Sequence, residues 1–250
     1  GDGADNTLTI TATSDNDGSY QLDAGPTVNF TDAGSFTFNG GAGDDELVIN
    51  NPGGSAFAPA GGIFFNGQGQ TTSPNGDTLT INGGTVADVG FIYTNANDGF
   101  VQYGGGTVIT YTGLEPISST INATNVILNY SAAAETITVS DDVGMVAGLT
   151  TVNSAPGEIN TFTNPTTLLT INPGDTGTNT INVEGLDPNF TAGLTINDST
   201  ATNNVTFQTN ATDTGGGAIT VNATNIDVDD DVLSGGGVIT LLATGDISFG

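Results

Sequence analysis

The chain has 250 residues and carries 27 acidic side chains against no Lys, Arg or His, a formal net charge of −27, with no Cys and no Trp. This composition excludes nucleic-acid binding, which needs cations against phosphate, and binding to an anionic membrane surface. It also excludes disulfides, salt bridges between side chains, and the His and Cys ligand sets usual for zinc and copper.

In chain order, the apolar residues fall in short, alternating, β-branched clusters, the pattern of half-buried strands. The series opens with Leu8-Thr9-Ile10, Val28-Asn29-Phe30, Phe36-Thr37-Phe38 and Leu47-Val48-Ile49, then passes through Leu79-Thr80-Ile81 and Val108-Ile109-Thr110-Tyr111. It resumes with Ile137-Thr138-Val139, Leu169-Thr170-Ile171, Ile181-Asn182-Val183 and Leu194-Thr195-Ile196. Val205-Thr206-Phe207, Ile219-Thr220-Val221, Ile239-Thr240-Leu241 and Ile247-Ser248-Phe249 close it. Gly, Asn, Asp and Pro separate the clusters, as turn formers do. Helix formers never gather at a 3.6-residue period, and no apolar run approaches the roughly 20 residues of a membrane-spanning helix.

Phrases recur. Gly215-Gly216-Gly217-Ala218-Ile219-Thr220-Val221 returns as Gly235-Gly236-Gly237-Val238-Ile239-Thr240-Leu241, Leu169-Thr170-Ile171-Asn172 as Leu194-Thr195-Ile196-Asn197, and Phe38-Asn39-Gly40 as Phe65-Asn66-Gly67. A period of roughly 20–27 residues with short strands predicts an all-β fold, a right-handed parallel β-solenoid (β-helix) whose coils stack an aliphatic column. Tandem β-sandwich modules are the alternative, and the short strands favour the solenoid. The expected organisation is β-helix coils over 1–54, a less regular aromatic-rich β region over 55–113, and β-helix coils over 114–250. The middle region holds Phe57, Phe64, Phe65, Phe91, Tyr93, Phe100, Tyr103 and Tyr111. It reads either as a hairpin-bearing interruption or as a wider coil filled with rings. Ile10, Phe38, Leu47, Ile81, Ile171, Ile196, Val221 and Leu241 are expected to point inward in columns.

One stretch, Gly40-Gly41-Ala42-Gly43-Asp44-Asp45-Glu46-Leu47-Val48, fits the calcium nonapeptide pattern G-G-x-G-x-D-x-U-x, where U is a large apolar residue. Glycines let turn carbonyls approach an ion, the carboxylate supplies a hard oxygen, and the apolar residue anchors a strand. Gly40, Gly41, Gly43 and Asp45 are therefore candidate calcium ligands, with plain turn residues as the other reading. Gly1-Asp2-Gly3-Ala4-Asp5-Asn6-Thr7-Leu8, Asn75-Gly76-Asp77-Thr78-Leu79 and Pro173-Gly174-Asp175-Thr176-Gly177 look like worn copies. A second acidic knot, Asp227-Val228-Asp229-Asp230-Asp231, adds Asp227, Asp229, Asp230 and Asp231 as candidate ligands or as a solvated turn.

These motifs, with Ile109-Thr110-Tyr111-Thr112-Gly113-Leu114-Glu115-Pro116 and Asn164-Pro165-Thr166-Thr167-Leu168-Leu169-Thr170-Ile171, give a chain that resembles giant secreted bacterial surface proteins. Those proteins mix worn hemolysin-type calcium repeats with filamentous-haemagglutinin-like coils. The resemblance spans most of the chain and implies export, repetition and β-helical coils. The chain departs from the family's calcium pattern, because tandem nonapeptides share each ion between turns and only one good copy stands here.

Catalysis finds no support. Ser and Thr have no His or Lys base, polysaccharide lyases on β-helices lean on absent cations, and no acid–aromatic cluster recurs for a carboxylate glycosidase. The expected role is non-enzymatic: a structural segment of an extracellular fibre, sheath or adhesin at a bacterial cell surface. Its expected partners are further copies along a fibre, the continuation of a longer chain, or glycans. A calcium-dependent carbohydrate-binding module is the alternative, with the aromatics from Phe57 to Tyr111 as the one platform it has.

Overall fold

The structure, a computed structural model, describes residues 3–72, 76–131, 134–142, 144, 146–155, 158–197 and 201–250. Among them the fold is all-β, and no helix occurs. The first strands are β1 (Thr7–Ala12), β2 (Gly18–Leu22), β3 (Val28–Phe30), β4 (Phe36–Ala42), β5 (Glu46–Ser55), β6 (Ile63–Gly69), β7 (Thr78–Tyr93), β8 (Gly99–Tyr103) and β9 (Gly106–Thr112). Then come β10 (Ile117–Ser119), β11 (Asn122–Asn129), β12 (Thr136–Asp141), β13 (Leu149–Ala155), β14 (Ile159–Thr163), β15 (Leu168–Asn172) and β16 (Thr178–Val183). The last are β17 (Gly193–Ile196), β18 (Thr202–Phe207), β19 (Thr212–Asp213), β20 (Ile219–Ala223), β21 (Asn225–Val228), β22 (Val232–Leu233), β23 (Ile239–Ala243) and β24 (Ile247–Phe249).

All but β19 and β22 join one large, mostly parallel sheet. Its parallel pairings form four in-register columns. In the first, β1, β5, the start of β7, β10 and β14 align Leu8, Leu47, Leu79, Ile117 and Asn160. In the second, the end of β7, β11, β15, β17, β20 and β23 align Phe91, Leu128, Ile171, Ile196, Val221 and Leu241. The third runs β12, β16, β18, β21, β24 through Ile137, Ile181, Val205, Ile226 and Ile247. The fourth, β4, β6 and β9, stacks Phe38, Phe65 and Tyr111.

Alternation explains the columns. Successive side chains point to opposite faces, so Leu-Thr-Ile-Asn puts its aliphatic residues inside and its Thr and Asn outside. Ile10, Phe38, Leu47, Ile81, Ile171, Ile196 and Val221 are buried, as their alternation predicts. Leu241 is half-buried, because among the described residues β23 pairs on one side only, with β20. Outside, asparagines stack along the columns through their amides: Asn172 Nδ2 donates to Asn129 Oδ1 at 2.6 Å, and Asn197 Nδ2 to Asn172 Oδ1 at 2.6 Å. At the Gly-rich turn, Gly215 and Gly235 share φ +58° and lie over one another; a Cβ on Gly235 would strike the Gly215 backbone, so the stacked turns demand glycine.

The spacing between aligned residues is 25, 24 and 21 in the later columns, matching the repeat read from sequence. It is longer early on: Asn6 faces Asp45 across 39 residues, Asp45 faces Asp77 across 32, and Asn129 faces Asn172 across 43. Antiparallel excursions account for much of the excess. The runs β1–β2–β3, β7–β8–β9 and β12–β13–β14 each fold back before the chain rejoins a column. Between residues 55 and 113 lie the β7–β8–β9 antiparallel run and the buried rings of Phe57, Phe65, Phe91, Tyr93 and Tyr111.

Candidate functional site

Two residues before the leading apolar position of the first column, each strand in turn places a polar side chain: Asn6, Asp45, Asp77, Glu115 and Glu158. Their backbones and carboxylates interlock. Asp45 Oδ1 accepts from the Asn6 backbone N–H at 2.9 Å, and Asp77 Oδ1 from the Asp45 N–H at 2.7 Å. Glu115 N–H donates to the Asp77 carbonyl at 2.7 Å.

The second oxygens are orphaned. Asn6 Oδ1, Asp45 Oδ2 and Asp77 Oδ2 are buried and accept no hydrogen bond, while Asp45 and Asp77 are 1% and 0% exposed. Burial pushes both carboxyls above the usual aspartate range, against the backbone donors that favour the charged form. The glycines of the fourth column make room for them. A Cβ on Gly40 would collide with the Asp45 carboxylate and the Gly67 carbonyl; one on Gly67 would collide with the Asp77 carboxylate and the Gly113 carbonyl. Gly43, at φ +120°, closes against the Ala4 carbonyl, and Gly41 sits at φ +114°. Of the nonapeptide residues, Gly40 and Asp45 therefore meet directly. Asp77, from a worn copy, supplies the adjacent carboxylate. Gly1, Asp2 and Asn75 of the worn copies lie outside the described residues.

Asp44 behaves oppositely. Its carboxylate accepts from the Thr71 and Thr72 N–H groups at 2.7 and 3.0 Å and from the Thr72 hydroxyl at 2.5 Å. These donors, the Thr72 hydroxyl foremost, lower its pKa to about 2.

The donor set at Asp45 and Asp77 suits a hard cation in kind, since every atom is oxygen. It is small in number: among the described residues no group of three or more acidic side chains is placed to hold a metal together. The second acidic knot lies elsewhere in the sheet. Asp227 Oδ1 accepts from the Ser248 hydroxyl at 2.8 Å, Asp230 Oδ1 from the Asp231 N–H at 2.7 Å, and the Asp229 N–H donates to the Phe207 carbonyl at 2.9 Å. With Val228, Ile239 and Phe249, Asp229, Asp230 and Asp231 line an open cleft beside the last strands.

A polar cluster that the sequence did not announce is buried near β14. Glu158 is 0% exposed, and neither carboxyl oxygen has a partner. Asn160 Nδ2 donates to the Tyr93 hydroxyl at 3.0 Å, and the Tyr93 and Tyr130 rings stack at 4.9 Å. The Asn160 Oδ1 and the hydroxyls of Tyr111 and Tyr130 are buried without partners. Nearby, the Ser154 hydroxyl donates to Glu135 Oε2 at 2.5 Å. The available signal was the spacing Asp-x-Leu, Asp-x-Leu, Glu-x-Ile, Glu-x-Asn, legible only once the register is known.

The aromatics from Phe57 to Tyr111 mostly turn inward. Phe57, Phe65, Phe91, Tyr93 and Tyr111 are core residues, and Phe64 is the one exposed ring among those foreseen there. No known family model, no curated protein and no solved structure matches this chain.

Proposed function

We propose that the chain is a right-handed parallel β-solenoid serving, without catalysis, as a structural segment of a secreted fibre, sheath or adhesin at a bacterial cell surface. The observation that carries this reading is the stacking of parallel strands into in-register columns whose later layers recur at spacings of 25, 24 and 21 residues. Ile239, Leu242 and Ile247 are exposed and Phe249 is 73% exposed. The residues aligned with Ile239 and Ile247 one layer earlier, Ile219 and Ile226, are buried. Each apolar rung is thus covered by the layer stacked on it, the arrangement that a structural segment built of repeated layers would use. Area removed from water contributes roughly 25 cal/mol per Å² there. The inward rings leave little of the aromatic platform that glycan binding would use.

Small-angle scattering and electron micrographs test the reading. A rod of constant cross-section that grows end to end supports it. Compact modules joined by linkers, with no end-to-end growth at any concentration or salt, would remove it. Calcium enters as a second reading at one place, Asp45 and Asp77, carried by their orphaned oxygens.

A further inference from the structure

We propose that Glu158 is held as a neutral carboxylic acid inside the folded chain at neutral pH, making the β13–β14 hairpin a latch that alkali releases. The inference does not depend on the fibre reading, and Glu158 lies two layers along the first column from Asp77, with Glu115 between them.

A carboxylate buried without donors or a counter-ion is too costly to persist; such a group neutralises instead. The usual remedy is a nearby Lys, Arg or His, and this chain has none. Among the groups near Glu158, the charged ones, Glu115 and Asp98, push the same way, and no cation answers them. Glu115 occupies the matching position before β10, Asp98 lies between β7 and β8, and Tyr93 and Tyr111 reach it from β7 and β9. Behind them stand Tyr130, after β11, and Glu135, before β12. Desolvation first, then the charges of Glu115 and Asp98, raise the Glu158 pKa to about 9.

The placement makes the proton consequential. The Ser154 N–H donates to the Glu158 carbonyl at 3.2 Å, closing the hairpin, and β14 pairs both β13 and β10. A negative charge at Glu158 opposes both pairings at once. The direction follows from linkage. The folded form keeps the proton, and the unfolded chain releases it above the ordinary value of 4.5. Between there and about 9, each pH unit lowers the folded-to-unfolded ratio about tenfold through this group, and below 4.5 the group contributes no slope.

The test compares the whole chain with Glu158→Gln by denaturant unfolding from pH 5 to 9.5, at fixed ionic strength in choline, sodium or calcium chloride. The expected result is that wild type weakens relative to Glu158→Gln as pH rises, equally in all three salts, with amide protection over residues 149–163 lost first. Parallel curves for the two proteins overturn the proposal. So does a high-pH loss that sodium or calcium repairs only when Glu158 is present, because a cation and not a proton would then neutralise it. Should Glu158→Gln fail to fold, carbon NMR of glutamate-labelled wild type decides. One side-chain carboxyl still protonated at pH 7 supports the proposal, and full ionisation of Glu46, Glu115, Glu135, Glu158 and Glu184 overturns it.

Discussion

Asp44 and Asp45 are neighbours in sequence with opposite fates. Asp44 turns to the surface, where three donors from Thr71 and Thr72 satisfy it. Its lowered pKa gives stability that is present above the ordinary 3.8 and lost as pH falls towards 2. Asp45 turns inward, and half its carboxyl has no donor. If calcium bridges Asp45 and Asp77, millimolar calcium should raise the melting temperature more than sodium or magnesium at matched ionic strength, since magnesium surrenders its water reluctantly. At 100-fold over its dissociation constant the gain is about 2.7 kcal/mol. Asp45→Asn and Asp77→Asn should each remove most of that excess, and Asp229→Asn, whose carboxylate lies in the open cleft, should remove little. Equal stabilisation by calcium and sodium would leave Gly40, Gly41, Gly43 and Asp45 as turn residues only.

At the scale of the strand, position within a column decides how much a side chain contributes. Ile171 has neighbours above and below in β11 and β17, whereas Leu241 has one only. Ile171→Ala should therefore cost about 2–5 kcal/mol in chemical denaturation, and Leu241→Ala about 1 kcal/mol or less, because part of its area already faces water. Comparable losses would mean that something covers the outer side of β23. The strands were readable because the Leu-Thr-Ile-Asn alternation names both faces at once, and its return names the register of β15 on β17. The first column was harder to read. Leu8 meets Leu47, and Ile117 meets Asn160, across hairpins whose lengths no local rule sets. That is why Asp45 was visible as a motif residue while Glu158 was not: its burial follows from a pairing between distant segments, and its own neighbourhood in sequence looks like an ordinary turn.

For the whole molecule, the charge of −27 opposes compaction with no side-chain cation to answer it. The acids concentrate in turns, and the outward positions of β11, β15, β17, β20 and β23 carry Asn, Thr, Ile, Leu or Gly but no acid. Much of the repulsion is therefore between exposed groups, which salt screens within about 8 Å at physiological strength. Raising NaCl from low to physiological concentration should lift the melting temperature by several degrees, the shift that about 1 kcal/mol or more produces in a chain of this size. A melting temperature indifferent to NaCl would mean that bound ions or protons already offset the charge.

The longest strand, β7, belongs to two columns: its start pairs β5 and β10, and its end pairs β11 and the antiparallel β8. A lone strand has no partner to pair with, so ordering the first pairing is an uphill step. β7 is where that step is cheapest, because one continuous segment offers edges to several partners at once. We expect the transition state for folding to form around it. Ile81→Ala and Phe91→Ala should slow refolding, with φ near 0.5–0.8, while Ile226→Ala should mainly speed unfolding. A φ-value at Ile226 as high as those at Ile81 and Phe91 would place the nucleus elsewhere. Growth from β7 would then run outward in both directions along the chain, and the exposed apolar rung of β23 and β24 would be among the last surfaces to be made.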